Sequence, residues 1–223
     1  MRGKLFLARL SITLSVSAFG QNSCDSLMQD TIPCRFSPRF TSHWDVGIAG
    51  GLNHYFGEVK AADNFWKRVT PSLEIFAERT ITPVVSFRGL ASIGTVNGWN
   101  TASTSVQYYD ENLHFEKFNM ITVQLHALFD LSNAIWGYDE ERRFSIVPFL
   151  GTGVAHPRGS GQNNRELILP VGILNKVNLT SKLDLTVELR HIFVNPRMDY
   201  VLKPGKFYEG MGTFSVGLSY KWE

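Results

Sequence analysis

The sequence predicts an all-β fold, an eight-stranded antiparallel up-and-down transmembrane β-barrel. Three observations carry this expectation. From His43 onward, apolar and polar residues alternate with a period of two in eight separate segments. Several segments reach the ~9–11 residues that a tilted strand needs to cross a bilayer, beyond the ~5–6 usual in globular sheets. The composition combines 19 glycines and 13% aromatic residues with a mean hydropathy of only −0.08. That balance suits strands with lipid on one face and polar filling on the other.

The chain opens like an export signal. Arg2 and Lys4 form a positive start, Leu5 to Val16 is mostly apolar although Arg9 interrupts it, and Ala18-Phe19-Gly20 offers small residues for cleavage. The expected organisation is a signal peptide over 1–20, a periplasmic N-terminal segment over 21–42 and an outer-membrane barrel over 43–223. The two cysteines, Cys24 and Cys34, fall in the middle segment, where an exported protein can close a small disulfide loop. A lipid anchor on Cys24 is the weaker reading, because Gln21-Asn22-Ser23 lacks the apolar residue of a lipobox. No later stretch has the ~20 apolar residues of a transmembrane helix.

The strands follow in order. The first, 44–56, sets Trp44, Val46, Ile48, Leu52 and Phe56 against Asp45, Gly47, Ala49, Gly51 and Asn53. The second, 69–78, sets Val69, Leu73, Ile75 and Ala77 against Thr70, Ser72, Glu74 and Glu78. The third, 84–94, opposes Val85, Phe87, Ala91 and Ile93 to Ser86, Arg88 and Ser92. The fourth, 118–131, is the most regular: Ile121, Val123, Leu125, Ala127, Phe129 and Leu131 face away from Thr122, Gln124, His126 and Asp130.

In the fifth, 144–155, Phe144, Ile146, Pro148, Leu150 and Val154 oppose Ser145, Gly151 and Gly153. The sixth, 167–179, opposes Val171, Ile173, Val177 and Leu179 to Gly172, Lys176 and Asn178. The seventh, 183–193, opposes Leu183, Leu185, Val187 and Leu189 to Asp184, Thr186, Glu188 and Arg190. The eighth, 212–222, opposes Phe214, Val216, Leu218, Tyr220 and Trp222 to Thr213, Ser215, Gly217, Ser219 and Lys221.

The connections alternate in length, as in outer-membrane barrels. Long ones cover 57–68, 95–117, 156–166 and 194–211, and short ones cover 79–83 and 180–182. Ser132 to Arg143 is too long for a tight turn and stands as the exception.

The polar faces collect Glu74, Glu78, Asp130, Asp184 and Glu188 with Arg88, Lys176, Arg190 and Lys221, and with Gln124 and His126 among them. An eight-stranded barrel is just wide enough to be filled by side chains, and buried charges persist only when paired. A nearly balanced set therefore implies a plugged interior and argues against a diffusion pore. The opposite faces are apolar, with Trp44, Phe56, Phe144, Tyr220 and Trp222 at strand ends where rings suit the headgroup level. A soluble barrel would leave those apolar faces in water.

The stretch Leu131-Ser132-Asn133 with Gly137-Tyr138, followed by Val147-Pro148-Phe149-Leu150-Gly151, resembles the OmpA-like N-terminal barrel of Bacteroidetes outer-membrane proteins. Asn175-Lys176, Leu183-Asp184-Leu185 with Glu188-Leu189-Arg190, and Val216-Gly217-Leu218-Ser219-Tyr220-Lys221-Trp222 extend the resemblance over 44–222. It implies a filled eight-stranded barrel and a terminal aromatic strand read by the barrel-assembly machinery, although Glu223 follows that aromatic. The peptidoglycan-binding domain found in many such proteins is not expected here.

Motifs for chemistry are scarce. The formal net charge of +2, without a long single-sign run, gives no nucleic-acid surface. His43, His54, His114, His126, His156 and His191 show no metal-ligand spacing, and Gly159-Ser160-Gly161 lacks the lysine and helix of a phosphate loop. No catalytic, cofactor or metal site is expected. His191, with Glu209 or Asp199, is the one candidate for a lipid A-modifying enzyme, and a rim histidine is the plainer reading. The loops carry Trp66, Trp99, Tyr108, Tyr109, Tyr200 and Tyr208 among charges, a pattern that marks either a recognition surface or rings packed at the rim. The leading expectation is a non-enzymatic envelope or surface-recognition protein. Its partners would be outer-membrane lipid, lipopolysaccharide and an unidentified extracellular ligand. A narrow channel and a soluble ligand-binding barrel are its remaining rivals.

Overall fold

The computed structural model describes residues 40–56, 66, 69–100, 107–108, 114–139, 142–158, 165–194, 201–202 and 209–222. In chain order the elements are β1 (Trp44–Phe56), β2 (Val69–Thr80), β3 (Val85–Asn100), β4 (Gln107–Tyr108), β5 (His114–Phe129), α1 (Leu131–Trp136), β6 (Phe144–Arg158), β7 (Glu166–Thr180), β8 (Leu183–Val194), β9 (Val201–Leu202) and β10 (Glu209–Trp222). Eight of them close a barrel in the order β1-β10-β8-β7-β6-β5-β3-β2, every pair antiparallel. The fold is the all-β up-and-down barrel that the alternation predicts. The expected signal peptide and the Cys24 and Cys34 pair lie outside the described residues.

The barrel strands are 12 to 16 residues long, enough to cross the hydrocarbon layer at a tilt. Both the start of β1 and the end of β10 lie at one end, where Trp44 pairs with Trp222. The short connections gather at this end, hereafter the short-turn end. In the β2–β3 turn, Thr82 Oγ1 accepts from the amides of Val84 and Val85. In the β7–β8 turn, Thr180 Oγ1 accepts from Lys182 and Leu183, beside a bulge between Asn178 and Thr180.

The polarity is inverted relative to a soluble barrel. On β5, Gln124 and His126 are 2% and 0% exposed, whereas Val123 and Leu125 are 61% and 56% exposed. The same alternation leaves Ile48, Ile75, Leu150, Leu189 and Leu218 on the outside. Closure satisfies every ladder group without an open edge, the condition for strands in lipid. The chain is a closed antiparallel barrel with the inverted polarity of a membrane-spanning one.

Three differences from the sequence reading have physical causes. The ladder between β3 and β5 continues from Thr95↔Asn119 to Asn100↔His114, so strand covers much of the expected 95–117 loop. That stretch lacks clean alternation, and pairing rather than periodicity extends it. The long 132–143 connection contains α1. Asp130 stops the fourth strand: its carboxylate accepts from the Asn133 amide at 2.7 Å as the N-cap, which makes Leu131 the first helical residue and not a lipid-facing strand position. Two residues of β4 also pair in parallel with β9, joining the β3–β5 and β8–β10 connections. Two-residue strands carry no period to read.

Candidate functional site

The interior is built in tiers. Nearest the long loops, an apolar tier packs Tyr55, Val96, Met120, Ala155, Ile168, Ile192, Val194 and Met211. Just below, Asn53 Oδ1 accepts from Thr213 Oγ1 at 2.9 Å. Charged groups occupy the middle, and a polar vestibule opens at the short-turn end.

The central tier turns on Arg88. Its Nη2 donates to Glu188 Oε2 at 2.7 Å and to His126 Nδ1 at 2.9 Å. Its guanidinium lies between the rings of Phe76 and Phe149, at 5.4 and 5.3 Å from their centroids. His126 stacks on Phe149 at 4.6 Å. Because arginine can only donate, Nδ1 must accept, and the imidazole proton sits on Nε2. That N–H donates to Gln124 Oε1 at 2.9 Å, and the Gln124 amide donates to Thr122 Oγ1 at 2.7 Å. On the other side, Arg190 donates to Glu74 and lies 3.2 Å from Glu188.

Glycines make room for this tier. Gly47 pairs across the ladder with Phe76, Gly151 with His126, and Gly172 with Phe149. A Cβ on Gly151 would stand 2.5 Å from His126 Cδ2, and one on Gly172 would stand 2.7 Å from Phe149 Cζ. Each wide inward side chain is thus seated against a missing one, which lets a narrow barrel hold two aromatic rings, an imidazole and two guanidiniums.

The vestibule is a cavity of about 200 Å³. Lys176 Nζ donates to Glu78 Oε1 at 2.7 Å and to Asp45 Oδ2 at 3.4 Å, and Ser86 Oγ donates to the same Glu78 oxygen. Lys221 lies 3.4 Å from Asp184. At the mouth, His43 approaches Asp45 at 3.7 Å, and Phe40 meets Tyr138 edge-on at 5.4 Å. Asp130 also borders the cavity. Burial pushes its carboxyl above the ordinary aspartate value, with the Asn133 amide bond and the charges of Lys176 and Arg142 pulling the other way.

The eleven polar positions singled out from the sequence therefore fall into two groups. Glu74, Arg88, Gln124, His126, Glu188 and Arg190 form the central tier, while Glu78, Lys176, Asp184 and Lys221 line the vestibule. Asp130 differs: it caps α1 at the vestibule wall and is not a strand residue inside the barrel. Asp45 completes the vestibule and was missed, although its place on the polar face of β1 was readable. The inward apolar residues Phe76, Leu90, Leu128, Val147, Phe149 and Leu174 are not among those positions either, although they share the parity of the small and polar residues, because charge rather than parity selected the interior set.

Of the loop aromatics, Trp66 is exposed. The backbones of Trp99 and Tyr108 lie in β3 and β4, and their side chains are outside the description, as are Tyr109, Tyr200 and Tyr208. His191 faces outward from β8. Its ring lies over Gly210, 4.6 Å from Phe193 and 6.0 Å from Phe56 by ring centroids. This is ring packing across a strand glycine at the barrel rim. The side chain of Glu209 and all of Asp199 lie outside the described residues. No group of three or more potential metal ligands occurs among the described residues.

The chain matches no protein-family model, and no curated protein sequence matches it. Among solved structures, Neisserial surface protein A is 12% identical, covers 81% of this chain and 97% of its own, and has a TM-score of 0.45. The outer membrane protein OprG from Pseudomonas aeruginosa is 9% identical, with coverage of 82% and 96% and a TM-score of 0.47. The attachment invasion locus protein Ail of Yersinia pestis, in complex with the heparin analogue sucrose octasulfate, is 12% identical, with coverage of 81% and 97% and a TM-score of 0.41.

Proposed function

We propose that this chain is a non-enzymatic outer-membrane protein that contributes to envelope structure and presents its long loops for recognition at the cell surface. The observation that carries this reading is the filled bore. An apolar tier and a hydrogen-bonded charged tier lie in series between the vestibule and the long loops. Opening a path would strand buried charges, each costing several kcal/mol, so the reading assigns recognition to the loops and not passage to the bore. Surrounding lipid and lipopolysaccharide, and the barrel-assembly machinery during insertion, are the partners this reading implies. The extracellular ligand is unidentified.

Cells lacking the protein can be complemented with the wild type or with a barrel whose 57–68 and 103–113 segments are replaced by short turns. Both versions are expected to restore detergent resistance, and only the wild type to restore attachment to host-cell monolayers. Equal attachment by the two versions would remove the loop role. Steady single-channel conductance of the wild type in planar bilayers would replace this reading with a channel.

A further inference from the structure

We propose that the vestibule at the short-turn end is a binding site for a small organic ammonium ion, of the size of an alkyl diamine. This site is independent of the loops and stands whether or not they bind a ligand. Its floor carries three carboxylates, Asp45, Glu78 and Asp184, each no more than 3% exposed. Each keeps one oxygen without a hydrogen-bond partner: Asp45 Oδ1, Glu78 Oε2 and Asp184 Oδ1. All three residues line the same cavity of about 200 Å³. Buried acceptors left unmatched cost folding energy, and the three carboxylates that carry them line one cavity, an acidic wall for a group with several N–H donors.

The charge and the rim narrow the guest. Two lysines face these three carboxylates, because Lys176 is shared between Asp45 and Glu78 while Lys221 serves Asp184, and the His43 imidazole stands 3.7 Å from Asp45 Oδ1, beyond hydrogen-bond distance. At the mouth Arg142 is balanced by Asp139, and Asp130 adds a further acid, so the wall favours a cation. The rings of Phe40 and Tyr138 stand at the same mouth, edge to face. Aromatic faces beside carboxylates are the chemistry that recognises ammonium groups on carbon chains. A bare divalent ion is disfavoured. It needs six or more oxygens at about 2.0–2.6 Å, and two lysine ammonium groups already occupy oxygens of the trio. An anion would meet a wall with more carboxylates than cationic side chains.

The test uses the full chain, extracted in detergent and titrated calorimetrically with 1,4-diaminobutane, with magnesium and sodium chloride as separate titrants. The expected result is saturable one-to-one binding of the diamine that weakens with salt. Asp184→Asn is expected to weaken it about tenfold or more while keeping the mobility difference between boiled and unboiled samples that reports a closed barrel. Tyr138→Ala, at the rim and outside the strands, keeps the test readable in a folded barrel and is expected to weaken binding severalfold. Absence of saturable binding would overturn the proposal. So would undiminished binding in both variants, or saturation by magnesium in preference to the diamine.

Discussion

Arg88 and Glu188 stand a hundred residues apart in the chain and meet at the centre of the barrel, Nη2 at 2.7 Å from Oε2. Their contact ties β3 to β8 across the bore, and Arg190 on β8 carries it on to Glu74 on β2. The barrel is thereby braced from inside by charges that are almost fully buried. Removing one partner is consequently worse than removing both.

Arg88→Met is expected to lower unfolding stability by about 3–5 kcal/mol, because Glu188 is left buried without its main partner. The double variant Arg88→Met/Glu188→Gln is expected to recover part of that loss, giving a coupling of about 0.5–3 kcal/mol. Urea titration of the barrel in lipid vesicles measures both. Additive losses in the double variant would show that the two side chains act independently.

Gly151→Ala is expected to cost about 1–3 kcal/mol, since the new Cβ meets His126 Cδ2 at 2.5 Å and the Leu125 carbonyl at the same distance. Gly89→Ala points outward, where nothing lies within 4 Å, and is expected to be neutral or slightly stabilising. The same urea titration compares them. Equal losses would mean that the inward glycines do not serve as seats for the rings.

A charge on the outer face gives a third test. Leu125→Arg places a guanidinium in mid-strand toward lipid and is expected to cost about 2–4 kcal/mol, while the same change at the rim residue Phe56 is expected to cost about 0–1 kcal/mol. Refolding titrations into vesicles measure the difference. A greater loss at Phe56 would place the bilayer wrongly along the strands.

Asp130 supplies a pH dependence outside the strands. Burial raises its carboxyl above the ordinary value of 3.8, so the folded state holds the proton more tightly than the unfolded chain. Its contribution to stability is fully present below that ordinary value. It is lost as pH rises through the folded value. The Asn133 amide, hydrogen-bonded to Asp130 at 2.7 Å, is expected to titrate in NMR spectra with a midpoint above 3.8, and Asp130→Asn is expected to abolish that titration. A midpoint at or below 3.8 would contradict the assignment.

The sequence displayed the fold because lipid and interior impose opposite demands on neighbouring residues. Thr122, Gln124 and His126 alternate with Val123, Leu125 and Ala127, and no packing knowledge is needed to sort them. Interior members with charge were legible for the same reason. Phe76 and Phe149 share the parity of the inward residues, but what seats such wide rings there was not legible until ladder register set them against Gly47 and Gly172. Asp130 shows the converse limit: it continues the alternation of β5 in sequence, yet a capping bond to Asn133 takes it out of the strand. The vestibule was invisible because its wall comes from chain segments as distant as Asp45 and Lys176.

The inverted polarity is the central claim, and it can be read in the native protein without substitution. In bilayers doped with a lipid carrying a nitroxide near the chain terminus, methyl relaxation is measured by NMR. Val123, Leu125 and Leu189 are expected to be strongly relaxed, and the inward methyl groups of Leu128, Leu174 and Ile192 to be protected. Strong relaxation of Leu128 and Leu174 with protection of Val123 and Leu125 would contradict a barrel that faces lipid with its apolar side.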